Sequence, residues 1–132
     1  MIGLLLAAAV AAQPQPETDC KDPQTQSDMN ICAGRAFKAA DAVMNRAYDV
    51  VVERMKRLDK SVDRTYDDRP GYYAALLDSQ RAWLKFRDSY CVVEGYYVRG
   101  GTMEPMVVSA CYEELTKQRT EQLQELDKMY DG

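Results

Sequence analysis

The chain has 132 residues, 46% of them hydrophobic and 29% charged, a balance that suits one globular domain and excludes a fibrous or low-complexity protein. Acids outnumber bases by 21 to 17, a formal net charge of −4, which is the wrong sign for a general nucleic-acid binder. There is no histidine, so Ser-His-Asp and Cys-His catalysis, His-ligated metals and the usual pH switch are excluded.

Residues 2–12 are apolar and end in Val10-Ala11-Ala12, the small residues a signal peptidase requires. The expectation is a signal peptide over 1–12 and a single helical domain over 13–132. The apolar run is too short to span a bilayer. Cys20 stands behind Pro14-Gln15-Pro16-Glu17-Thr18-Asp19 rather than directly after the run, so a lipid anchor is not expected either. The reading is an exported protein, periplasmic or secreted, that is soluble once the leader is removed.

Export bears on the four cysteines, Cys20, Cys32, Cys91 and Cys111. They form no CxxC, which makes zinc ligation and dithiol redox chemistry poor fits and two structural disulfides the expectation. Pairing Cys20 with Cys32 and Cys91 with Cys111 closes two local loops; the cross-pairings between helices stay open at this level. A bridge closing a loop of about twenty residues contributes about 3 kcal/mol by chain entropy.

Helical periodicity dominates the rest. Ala33, Phe37, Ala40, Met44, Tyr48, Val51, Met55, Leu58 and Val62 recur at steps of three and four. With Asp22-Pro23 as N-cap and first turn, this predicts a helix from about Pro23 to Lys60. Asp67-Asp68-Arg69-Pro70-Gly71 breaks the chain. A second helix carries Leu76, Leu77, Gln80, Trp83, Leu84, Arg87, Tyr90 and Cys91 on one stripe and stops near Gly95, before Gly100-Gly101. A third begins at Glu104-Pro105 with Val108, Cys111, Leu115, Arg119, Leu123, Leu126 and Tyr130 on its stripe. Short connections imply an all-α antiparallel three-helix bundle with both disulfides at one pole.

That pole is acidic. Glu17, Asp19, Asp22, Asp28, Glu94, Glu104, Glu113 and Glu114 face only Lys21, Arg35 and Arg99 there. Two helix N-termini favour some of these acids, and the same charge would steer a basic partner inward. The connection Gly95–Glu104 projects from the pole with Tyr96, Tyr97, Arg99, Thr102 and Met103, aromatic and apolar groups that suit a binding anchor. One of the two tyrosines is expected to fold back over the bundle, leaving the loop tip to bind.

Polar residues also fall on the core stripes. Gln80, Arg87 and Arg119, with Asp41 and Asn45 beside the first stripe, are expected to form a network that fixes helix register. A small-ligand pocket on Arg87 and Arg119 is the sharper alternative. Nothing calls for an enzyme, a cofactor or a metal. Adjacent acids such as Glu113-Glu114 face different ways on a helix and lack the cleft a glycosidase needs. Asp59, Asp63 and Asp67 lack the loop glycine and ligand alternation of a calcium site and read as a solvated face.

Taken together, these residues carry a resemblance. Cys20, Met29-Asn30-Ile31-Cys32-Ala33, and Ala40-Asp41 with Asn45 and Tyr48 resemble the opening of the LprI-type lysozyme-inhibitor domain. Gln80-Arg81-Ala82-Trp83-Leu84, followed by Arg87-Asp88 and Cys91, is similar to its central motif. Gly100-Gly101-Thr102, Cys111, Leu115-Thr116, Arg119-Thr120 and Leu123 resemble its closing segment. The likeness runs from Cys20 to Leu126, with Met44 where a Leu is usual, a volume-conserving exchange.

The resemblance implies an exported inhibitor that protects peptidoglycan by binding a lysozyme, an enzyme class that is typically basic with a carboxylate-lined cleft. In that reading the Tyr96–Glu104 loop occludes the cleft and Arg99 meets a catalytic carboxylate. Glu94, Glu104, Glu113 and Glu114 then face the basic rim. The alternative is a non-inhibitory envelope module that recognises another exported protein or a small ligand near Arg87 and Arg119.

Overall fold

A computed structural model describes residues 11, 17–63 and 67–132 of the chain. The expected signal peptide falls, apart from Ala11, outside the described residues. Three helices form: α1 at Gln26–Ser61, α2 at Tyr72–Gly95 and α3 at Glu104–Met129, with a short 3₁₀ turn at Tyr96–Val98. No strand occurs among the described residues, and none of their helices is long and apolar enough to cross a membrane.

The helix starts have local causes. The expected cap at Asp22-Pro23 gives way to Thr25, whose hydroxyl accepts from the Asp28 N–H at 3.0 Å. Both segments carry a capping residue, but only Thr25 closes this side-chain bond at the first turn. Gly71, the residue before α2, has no side chain to cap with. The Asp59 carboxylate of α1 reaches across instead and accepts from the N–H groups of Tyr72 (2.8 Å) and Tyr73 (3.1 Å). Asp59 is therefore a half-buried cap for α2 rather than part of the solvated face expected from the sequence. Pro105 opens α3 at a position whose N–H would have had no intrahelical partner.

Direction follows from the pairings between helices. Asp41, Met44 and Asp59 of α1 meet Arg87, Gln80 and Tyr72 of α2 in turn. Numbering on α2 falls as it rises on α1. Asn30 meets the Thr102 carbonyl at 3.0 Å near one end of α1, and Arg54 meets Asp127 at 2.6 Å near the other. α1 and α3 thus run the same way and α2 runs counter to both, with the α1–α3 contact the most extensive.

The core is lopsided. Met44, Val51, Val52, Met55, Leu76 and Leu123 form the buried cluster, with Tyr48, Leu58, Trp83 and Leu126 packed on it. Fully burying each such side chain contributes about 1.5–3 kcal/mol. Toward the other pole the buried positions are smaller: Ala40, Cys91, Cys111 and Gly95. There the disulfides Cys20–Cys32 and Cys91–Cys111 hold the chain.

Five positions depart from the stripes, among them Tyr130 at the end of α3, which is 43% exposed. Tyr90 is 46% exposed, because the core face of α2 runs through Gln80, Arg87 and Cys91 and leaves Tyr90 to one side. Val62 is exposed at the end of α1, its N–H closing the helix on the Leu58 carbonyl. Thr116 and Thr120, polar and absent from the expected stripe, are buried; the Thr120 hydroxyl donates to the Thr116 carbonyl at 3.1 Å.

Two substitutions test this packing. A Cβ on buried Gly95 would stand 2.5 Å from Val108 Cγ2, and a β-branched side chain has no spare rotamer with which to yield. Gly95→Ala should cost about 1–3 kcal/mol in denaturant unfolding. The Tyr48 hydroxyl is buried without a partner. Burial, followed by the neighbouring Tyr73, pushes its pKa above the ordinary 10.0. The folded state therefore holds this proton more tightly than the unfolded chain. The associated stability is complete below pH 10 and is lost as pH rises through the folded value. Tyr48→Phe should leave stability at pH 7 equal or higher and flatten its decline above pH 10 in paired thermal melts.

Candidate functional site

Arg87 organises the middle of the bundle. Its side chain is nearly buried, yet its guanidinium finds partners on all three helices: Asp41 at 3.2 Å on α1, Thr116 Oγ1 at 3.3 Å on α3 and Asp88 at 3.0 Å on α2. Rings of Phe37, Trp83 and Tyr112 stand 5.1–5.4 Å from its central carbon, within range of cation–π attraction. Asn45 reaches Asp41 only at 3.5 Å.

Arg119 belongs to a second cluster. It donates to Gln80 at 3.0 Å, Ser79 at 2.9 Å and Gln122 at 3.1 Å, and these partners are neutral. Burial lowers its pKa from the ordinary arginine value, with Tyr48 opposing the shift. Gln80 in turn contacts the Met44 sulfur at 3.7 Å. The five polar residues singled out in the sequence therefore form two groups, with Trp83 facing both guanidiniums at 5.3 and 5.8 Å. Sequence reasoning missed Asp88, Ser79 and Thr116, although a buried arginine demands acceptors. Both guanidiniums are engaged inside the bundle. No group of three or more potential ligands that could hold a metal occurs among the described residues.

The acidic pole is built differently. After α2 the 3₁₀ turn is closed by the Arg99 N–H on the Tyr96 carbonyl and the Gly101 N–H on the Val98 carbonyl. Gly100 takes φ +78°, a left-handed conformation open to glycine, and its N–H donates to the Glu104 carboxylate at 2.6 Å. Asn30 of α1 holds the loop from below through the Thr102 carbonyl. Beneath it lies the buried Cys91–Cys111 bridge. The connection is thus fastened at both ends and in the middle.

What this frame displays is specific. Tyr97 is 91% exposed, and Tyr96 and Met103 are about half exposed. The Arg99 guanidinium lies over the Tyr96 ring at 4.4 Å, so Tyr96 and Arg99 form one unit while Tyr97 stands clear. Neither tyrosine is buried as a lid. Thr102 contributes its backbone carbonyl to the framework. Among the acids, Glu104 is used internally, Glu113 pairs with Lys117 at 2.7 Å and Glu114 accepts from Gln118 at 3.1 Å. The Lys117 ammonium is held above its ordinary pKa by that hydrogen bond first and by the Glu113 charge second. The loop residues are brought together; Glu113 and Glu114 lie two to three turns further along α3.

Known proteins supply the remaining observation. The family model described as Lysozyme inhibitor LprI matches residues 18–123, which include both disulfides, the two arginine clusters and the loop. The chain belongs to the LprI family. Within it, an uncharacterized protein of Rhizobium meliloti (strain 1021), R02472, is 45% identical over 123 residues, covering 93% of this chain and 88% of that one. No solved structure matches. Asp127 and Asp131, which hold Arg54 at 2.6 and 3.2 Å, fall beyond the segment matched by the LprI model.

The Arg87 cluster makes a stability prediction for this LprI domain. Arg87→Ala should lower unfolding free energy by about 2–4 kcal/mol, read from urea unfolding. Arg119→Ala should cost less, because no carboxylate is left behind. Equal losses for the two would contradict the division into clusters.

Proposed function

We propose that this protein is exported and inhibits a lysozyme by presenting the Tyr96–Glu104 loop to the enzyme's cleft. The observation that carries the reading is the loop itself, an aromatic display fastened to a disulfide-bonded acidic pole, in a chain of the lysozyme-inhibitor family. A fastened loop loses little conformational freedom on binding, which favours affinity. The acidic residues around it attract a basic enzyme. No catalytic role is assigned to any residue.

Arg99 and Tyr96 act as a pair in this mechanism. The stacked guanidinium keeps its charge and donors at the loop surface, where it can meet a carboxylate of the cleft. The exposed apolar groups Tyr97 and Met103 fill the space beside it. Glu94, Glu113 and Glu114 supply the outer negative field, with Glu113 weakened by its pairing to Lys117. The alternative of a ligand module at Arg87 and Arg119 is not adopted, since both side chains already have partners within the bundle.

The test is a cell-wall lysis assay with the purified, oxidised protein against lysozymes of several classes. Dose-dependent inhibition is expected, with Arg99→Ala raising the inhibition constant about tenfold or more. Reversing Glu113 and Glu114 to Lys should slow association at low salt and change it little at high salt. Failure of the well-folded protein to inhibit every lysozyme tried would overturn the proposal. Unaltered inhibition by Arg99→Ala would remove Arg99 from it.

A further inference from the structure

One side of α2 carries apolar side chains, Phe86, Tyr90 and Val93, that the loop mechanism does not use, and they lead along the chain to Tyr97 of the 3₁₀ turn. Phe86, Tyr90 and Val93 follow one another at steps of four and three, which puts them on one side of α2, and Tyr97 comes four residues later in the 3₁₀ turn. Phe86 is 52% exposed and Val93 67%. The Phe86 and Tyr90 rings stack with centroids 5.5 Å apart. The buried face of α2 runs instead through Leu76, Gln80, Arg87, Cys91 and Gly95. The row therefore forms a ridge to one side of the buried face, about 10 Å long from Phe86 to Val93 at the helical rise, and it leads to Tyr97 in the turn beyond.

Resting on the lysozyme reading above, we infer that this ridge is the second half of the enzyme-binding surface, with Tyr97 at its centre. Size is the first argument. A stable protein interface takes about 800 Å² and about 20–30 residues from each partner, more than the connection Gly95–Glu104 can offer. The surface beside it must contribute, and the ridge is exposed apolar surface that leads into the loop along the chain. Composition is the second argument. Interface centres favour Tyr and other large anchors ringed by polar groups, and Tyr97 stands where ridge and loop meet. Charge is the third. The ridge runs into the acidic pole, with Glu94 on the same helix, so a partner covering both is a basic protein with an apolar margin to its cleft.

The experiment measures binding of the oxidised full chain to an immobilised basic c-type lysozyme by surface plasmon resonance. Tyr97→Ala and the double variant Phe86→Ala/Tyr90→Ala should each weaken affinity at least about tenfold, mainly through faster dissociation. Val50→Ala, an exposed position on α1, should stay within about twofold, as expected away from an interface centre. Thermal melts verify that the variants fold. If the double variant is unfolded, Val93→Lys decides, because a cation there should repel a basic partner and weaken binding by a similar factor. Unchanged affinity in the folded ridge variants overturns the ridge and leaves the lysozyme reading in place. No binding by the unmodified chain to this lysozyme or to any of the other classes overturns both.

Discussion

A nearly buried guanidinium at the centre of three helices is the constraint on which much of the rest depends. Arg87 bonds to Asp41 and Thr116 on the neighbouring helices and to Asp88 on its own. Hydrocarbon packing tolerates sliding by a fraction of a turn, whereas charged hydrogen bonds of this kind fail within an ångström. The bonds therefore select one axial register for α2 against α1 and α3. That register places Cys91 opposite Cys111 one turn above, and it brings Gly95 against Val108 where a larger residue would collide. The loop's footing is set by the same alignment.

The two ends of the bundle are stabilised by different means. The distal half has the large apolar cluster around Met44, Val51 and Leu123, closed by Arg54 on Asp127 and Asp131. The half near the loop has small buried residues and two disulfides. A small domain with too little apolar volume at one end gains from covalent ties there, which restrict the unfolded chain rather than add contacts. This arrangement frees large apolar residues for the surface. Phe86, Tyr90, Val93 and Tyr97 lie outward at the end where the core is thinnest.

Much of this was legible in the sequence, for reasons that differ by residue. Helices were plain because Met44, Val51, Met55 and Leu123 repeat at helical steps, and the stop near Gly95 followed from the glycines beyond it. The first cap was misplaced by three residues because Asp22-Pro23 and Thr25 are both competent caps locally, and only the closed Thr25–Asp28 bond distinguishes them. Asp59 capping Tyr72 and Tyr73 acts across a turn that local patterns do not span. Tyr90 was misassigned because periodicity gives the helix face to within a residue or two, and α2 is covered on one side only. Arg87 and Arg119 were recognised as buried polar groups, yet their separate partner sets depend on the third dimension. At the pole, the turn was readable from Gly100-Gly101, whereas the stacking of Arg99 on Tyr96 was not.

The Cys91–Cys111 bridge has a consequence for motion. It joins the last turn of α2 to the second turn of α3 and so turns the intervening segment into a covalent ring. Helix ends fray at little free-energy cost in most bundles, and a loop between two frayed ends samples a wide volume. Within a ring the anchors cannot separate, so even a momentarily opened pole keeps Tyr97 within a small arc above the bundle. Recovery is then a short-range closure of the kind completed in tens of nanoseconds, fast compared with diffusional encounter. An approaching molecule would meet the same surface on nearly every collision.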